Sequence, residues 1–130
     1  MFRYPDGRVA LDGLSLNVAP GERLGIIGQS GAGKSTFLLH LNGVLMPTSG
    51  LVRIDGEAVR KTNLAAIRSR VGLVFQNPDD QLFTPTVEED VAFGPLNMGC
   101  SGGDARERVR VALQQMRLEG YEKRSTHDLS

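Results

Sequence analysis

Nine residues constrain this chain more than any others: Gly28-Gln29-Ser30-Gly31-Ala32-Gly33-Lys34-Ser35-Thr36. They make a complete G-x-x-x-x-G-K-[ST] run, and that spacing has a mechanism. Glycines let the backbone curl so that successive N–H groups face inward around an anion. A helix starting at about Lys34 would add unpaired N-terminal N–H groups and the positive end of its dipole. Lys34 is placed to reach the outer phosphates of a nucleoside triphosphate, and the Ser35 hydroxyl to ligand Mg²⁺. The surroundings agree. Residues 23–27 (Arg-Leu-Gly-Ile-Ile) are a short β-prone run before the loop, and Phe37, Leu38 and Leu41 give helical spacing after it. Nucleotide binding is therefore favoured over a flexible Gly/Ser turn.

A chain of 130 residues allows one domain. Fifteen basic residues balance fifteen acidic ones, so no net charge draws the chain to nucleic acid or anionic lipid. Cys100 is the single cysteine, which excludes an internal disulfide and fits a reducing cytosol. No apolar run approaches a membrane span and the N-terminus lacks a signal-peptide core, so membrane association is expected only through a partner.

Along the chain, Tyr4-Pro5-Asp6-Gly7 reads as a turn and the alternation from Leu14 to Val18 as a half-buried strand. Pro20-Gly21-Glu22 turns the chain into the strand feeding the loop. Asn42-Gly43 offers a helix stop. Residues 51–54, Asp55-Gly56 and residues 57–59 read as a hairpin with a two-residue turn. Leu64 to Arg70 predicts a short helix, and Val71 to Phe75 a buried strand. The mixture indicates an α/β class. After Phe83 the character becomes helical. Thr86-Val87-Glu88-Glu89 is a capping box, with Gly94-Pro95 as the expected stop. Ser101-Gly102-Gly103-Asp104 is a second start, with Ala105, Val109, Ala112, Leu113 and Met116 on one face and Gly120 as the stop.

A phosphate loop alone does not name a function, and the second informative stretch is Phe75-Gln76-Asn77-Pro78-Asp79-Asp80-Gln81-Leu82-Phe83. Pro78 forces an extended or turn geometry on Asn77. Gln76, at a strand end, either places its amide near Mg²⁺ or an attacking water, or is an ordinary polar residue. Its distance from the phosphate loop resembles the Q-loop of ATP-binding cassette (ABC) transporter ATPases. This run, with residues 86–95, looks like the energy-coupling factor and cobalt-importer branch. Tyr4 to Gly7, Leu11-Asp12-Gly13 and His40-Leu41-Asn42-Gly43 extend the likeness over essentially the whole chain.

The resemblance implies a P-loop NTPase core, incomplete, with antiparallel β pieces over residues 1–83 and part of a helical subdomain over 84–130. It implies ATP and Mg²⁺ as cofactors. Tyr4 would stack on adenine, the alternative being a tyrosine packed at a strand end. Residues 28–36 would cradle phosphate. Lys34 and Gln76 would carry catalysis, and Ser35 and Gln76 would serve the metal. Residues 76–95 would help receive the coupling helix of a transmembrane subunit. Asp79, Asp80, Glu88, Glu89 and Asp90 there are either a match for a basic element or a solvated acidic surface. A second ATPase subunit, identical or not, would complete the site. The implied activity is ATP hydrolysis coupled to uptake of a metal cation or vitamin at the inner face of the membrane. The alternatives are a non-catalytic binding module and a small P-loop kinase.

The chain also departs from the family pattern. Residues 51–55 superficially suggest a Walker B strand, but Arg53 interrupts it and Gly56 stands where the catalytic Glu should be, so the hairpin reading is preferred. The switch histidine is unmatched: His40 reads as a helix-surface residue and His127 as a loop residue. Residues 126–130 resemble the approach to the L-S-G-G-Q signature, stopping after two letters, and Met1 lies three residues before Tyr4. The expectation is a piece of a longer protein, with uncovered apolar sheet surface, low stability and no ATP turnover by itself.

Overall fold

The computed structural model describes residues 1–77 and 80–129; the constraint expected from Pro78, the charge of Asp79 and the start of the signature at Ser130 lie outside the described residues. The chain forms two compact units, Met1–Leu73 and Val74–Ser130. The change of character after Phe83 lies inside the second.

The first unit is assembled from short pieces fastened by hydrogen bonds and glycine turns. Strands β1 (Phe2–Arg3) and β2 (Val9–Leu11) pair antiparallel, Phe2 opposite Leu11 and Arg3 opposite Val9. The Tyr4-Pro5-Asp6-Gly7 turn joins them, closed by Tyr4 N–H to Arg8 C=O and Gly7 N–H to Tyr4 C=O, both 2.9 Å. Helix α1 (Lys34–Leu41) follows the glycine loop and ends as expected at Asn42-Gly43, Gly43 having φ 68°. A Cβ on Gly43 would lie 2.3 Å from Leu64 Cδ2, so that side chain would have to move, and the positive φ already favours glycine. The Arg68 side chain donates to the carbonyls of Asn42 and Gly43 at 3.2 and 3.4 Å, closing the helix end.

Strands β3 (Arg53–Ile54) and β4 (Glu57–Ala58) form the expected hairpin. Asp55 and Gly56 have φ 50° and 80°, the two positive values a two-residue turn of this hand requires. Asp55 therefore belongs to a turn, 3.6 Å from Arg70, and not to a Walker B strand. Helix α2 (Leu64–Arg68) buries Ile67 completely. Asn63, then Arg70, hydrogen-bond the Glu57 carboxylate and hold it below the usual carboxylate range.

Residues 14–18, 23–27 and 71–75 do not form strands, contrary to expectation. They are apolar enough, but a strand exists only when a neighbouring backbone completes its hydrogen bonds. Among the described residues no strand pairs with them. Their side chains are correspondingly open: Leu14 is 54%, Ile27 97% and Val74 85% exposed.

The second unit is a helical hairpin. Helix α3 (Val87–Asn97) starts at the expected capping box, with Glu89 N–H donating to Thr86 Oγ1 and Thr86 N–H to the Glu89 carboxylate. It does not stop at Gly94-Pro95. Pro95 removes one N–H and crowds the preceding turn, yet the chain continues in helical form and Met98 and Cys100 donate to the carbonyls of Gly94 and Pro95. Helix α4 (Gly102–Gln115) starts at Ser101, whose hydroxyl oxygen accepts from Asp104 N–H. Val87, Val109 and Leu113 make the core between α3 and α4, with Val91, Ala92 and Leu118 against it. Met116, expected on that face, is 72% exposed because α4 has already ended. The return segment is tied to α3 by Val87 N–H to Arg124 C=O at 3.0 Å and Thr126 Oγ1 to Thr84 C=O at 3.0 Å. His127 lies in a closing 3-10 turn, Thr126–Leu129.

Candidate functional site

The glycine loop takes the form its sequence predicts. Gly31 and Gly33 adopt φ 82° and 91°, alternating the backbone hand as an anion-binding concavity requires. Gly33 is also the residue before α1. A Cβ there would lie 2.7 Å from the Ala10 carbonyl oxygen and 3.1 Å from Leu11, so β2 sits directly against the loop. No side chain caps α1, and its first turn holds no acidic residue. Its leading N–H groups and dipole are therefore left for an anion. Lys34 folds back over the loop and donates from Nζ to the carbonyls of Gly28 and Gln29, both at 2.8 Å. The ammonium is thus held at the loop itself. A phosphate fits this arrangement: a glycine-lined backbone curve, an uncapped helix start and one fixed cation converge on one place. Ser35 follows Lys34 in the first turn of α1. Among the described residues no group of three or more His, Cys, Asp or Glu side chains could hold a metal.

Tyr4 joins this region. Its hydroxyl and Thr36 Oγ1 are 2.9 Å apart, linking the β1–β2 turn to the last residue of the loop motif. Phe2 stands edge-on to the Tyr4 ring at 4.9 Å, and the Arg8 guanidinium lies 5.0 Å from its centroid. Behind it, His40 corrects the sequence reading of a surface residue. It is 3% exposed, edge-on to Phe2 at 4.7 Å, with Nδ1 2.7 Å from the Thr36 carbonyl oxygen. The buried face of α1 is thus the i, i+4 pair Thr36 and His40, while Leu38 is 40% exposed. The 3.6-residue spacing is visible in the sequence, but the two residues that use it are polar, so no apolar pattern marks this buried face. Arg8 carried no sequence signal beyond lying in the same tight turn.

Residues 28–36 and Tyr4 are therefore gathered in the first unit. Gln76 belongs to the second unit, in an exposed bend just before Asn77. Nearby acidic residues are engaged in their own unit. Asp90 accepts from the N–H groups of Phe83 and Thr84, Glu89 closes the α3 cap, and Glu88 pairs with Lys123, raising the lysine pKa.

Residues 11–130 match the family described as ABC transporter. A Methanothermobacter thermautotrophicus protein named energy-coupling factor transporter ATP-binding protein EcfA is 55% identical over 99% of this chain and 42% of its own length. A protein of the same name from Methanocaldococcus jannaschii is 51% identical over 99% of this chain and 47% of its own. The solved structure of cbiO1 from Clostridium perfringens, described as part of the ABC transporter complex cbiONQ, matches with TM-score 0.83. It is 38% identical, over 99% of this chain and 52% of that one. The chain belongs to the ABC transporter family and carries part of the ABC ATPase fold, a P-loop NTPase. The likeness to the energy-coupling factor branch is borne out by these relatives. The chain spans about half the length of the curated relatives it matches. Among the described residues no helix is long and apolar enough to cross a membrane.

Proposed function

We propose that this chain supplies the phosphate-cradling part of the ATP site in an ATP-binding subunit of an energy-coupling factor type importer. The observation that carries the reading is Lys34, fixed over a glycine loop at the uncapped start of α1. Residues 28–36 enclose the phosphates, with Lys34 against the outer ones. Ser35 would offer its hydroxyl to Mg²⁺, a hard cation that takes oxygen ligands. Tyr4 stacks on adenine and Gln76 serves the metal and the attacking water. Bound Mg²⁺ supplies charge neutralisation at the phosphates; the chain's own residues bind and orient. The names of the relatives support the transport role; the cargo proposed is a metal cation or vitamin. Transmembrane subunits receive the segment around residues 76–95, and a second ATPase subunit faces the loop. Held by those partners, the subunit works at the inner membrane surface.

Titration of the chain with a fluorescent ATP analogue and Mg²⁺ tests this. Lys34→Ala is expected to weaken binding at least about tenfold, since a charge-assisted contact to phosphate contributes roughly 1.5–3 kcal/mol. Unchanged affinity in a variant with the native circular dichroism spectrum would remove the phosphate-loop reading.

A further inference from the structure

Tyr4 and Thr36 are 32 positions apart, yet their hydroxyls meet at 2.9 Å in a half-buried setting. Thr36 is doubly held. Its own carbonyl meets His40 Nδ1 at 2.7 Å, and both Thr36 and His40 are buried under the β1 side of the unit. Phe2 contacts Tyr4 and His40 edge-on, so one aromatic residue buttresses both. Arg8 covers the Tyr4 ring from the same turn. A half-buried tyrosine hydroxyl needs some hydrogen-bond partner; here that partner is the residue that ends the phosphate loop.

We infer that the Thr36 hydroxyl is a positioning group for base recognition, tethering the Tyr4 ring to the phosphate loop so that base platform and phosphate cradle keep a fixed separation. This rests on the reading of Tyr4 as the adenine platform. A flexible ring must be ordered on each binding event, whereas a tethered one is already placed, and that difference appears in affinity. Thr36 also belongs to the phosphate cradle, and any loss there falls on both kinds of ligand alike; the Tyr4–Thr36 contact adds a part that only a base-bearing ligand feels. It therefore predicts selectivity for a ligand carrying both a base and a phosphate chain over one carrying phosphates only.

The experiment is calorimetric titration of the full chain with Mg-ATP and, separately, with Mg-tripolyphosphate. The reading is the ratio of the two affinities, which a general loosening of the loop would not move. Tyr4→Phe keeps the ring and removes the tether, and is expected to lower the ratio about fivefold, the usual worth of one neutral hydrogen bond. Thr36→Val should lower it similarly, the double variant no further, and Thr36→Ser should restore it. A Tyr4→Phe ratio equal to the parent's would overturn the tether, and Tyr4→Phe decides the matter even if Thr36→Val does not fold. Tyr4→Ala separates the two ideas. If it lowers the ratio while Tyr4→Phe does not, the platform stands and the tether falls; if it too leaves the ratio unchanged, the platform reading fails and takes the tether with it.

Discussion

Helix α1 and helices α3 and α4 begin in opposite ways. At α3, the Thr86 hydroxyl oxygen and the Glu89 carboxylate satisfy each other's backbone donors, and Glu88, Glu89 and Asp90 all sit in the first turn. At α4, Ser101 caps and Asp104 follows. At α1 a glycine stands in the cap position, no side chain accepts from the first turn, and no acid is present. Every helix start leaves four N–H groups without intrahelical partners and a partial positive charge. The second unit neutralises both from within. The first unit leaves both exposed and adds a lysine ammonium beside them. Such a start is open to water or to an anion, and the lysine ammonium beside it favours the anion.

The sharpest way to break this contrast is to force an ordinary residue into the open start. Gly33→Ala places a Cβ 2.7 Å from the Ala10 carbonyl at φ 91°. Left-handed backbone alone costs about 1–2 kcal/mol for a residue with a side chain, and displacing β2 adds to it; roughly 2–4 kcal/mol in total is expected. Amide hydrogen exchange across Met1–Leu73 measures it, because protection reports local opening free energy. A loss below about 1 kcal/mol would mean that β2 does not hold the loop in its curved form. The counterpart in the second unit is gentler. Thr86→Ala removes one side-chain cap and should lower protection of α3 by about 1 kcal/mol. No change there would show that Glu89 and the Arg124 carbonyl contact suffice, and the distinction between closed and open starts would weaken.

The same contrast explains what could be read from the sequence. The phosphate loop, the α3 capping box, the Asp55-Gly56 hairpin turn and the Asn42-Gly43 stop are local devices whose partners lie within a few residues. Residue type and spacing therefore reveal them. The runs at 14–18, 23–27 and 71–75 carry equally clear apolar patterns, but strand formation depends on a backbone elsewhere, which no local pattern contains. In the site, Lys34 and the glycines were legible because the motif encodes their geometry. The Tyr4–Thr36 hydroxyl contact and the burial of His40 were not. They arise where β1 lands on α1, a meeting of residues more than thirty positions apart.

Helix ends give the smallest and most local test. Gly120 has the residue type of a helix stop and φ 85°, yet α4 ends earlier, at Gln115, with Arg117 in the left-handed region at φ 58°. The arrangement is a Schellman motif: Leu118 N–H donates to Leu113 C=O at 2.8 Å and Arg117 N–H to Gln114 C=O at 3.1 Å. Leu118 then packs against the core containing Leu113. That apolar contact chooses the stopping point, and the arginine backbone tolerates the conformation it imposes. If so, Arg117→Gly relieves the strain while leaving every contact of the core in place. The expected gain is about 0.5–1 kcal/mol in α4 protection, reduced somewhat because glycine is also freer in the unfolded chain. A loss instead of a gain would mean that the Arg117 side chain contributes more to the end of α4 than its backbone costs, and the stop would then be set by residue 117 itself and not by the Leu113–Leu118 contact.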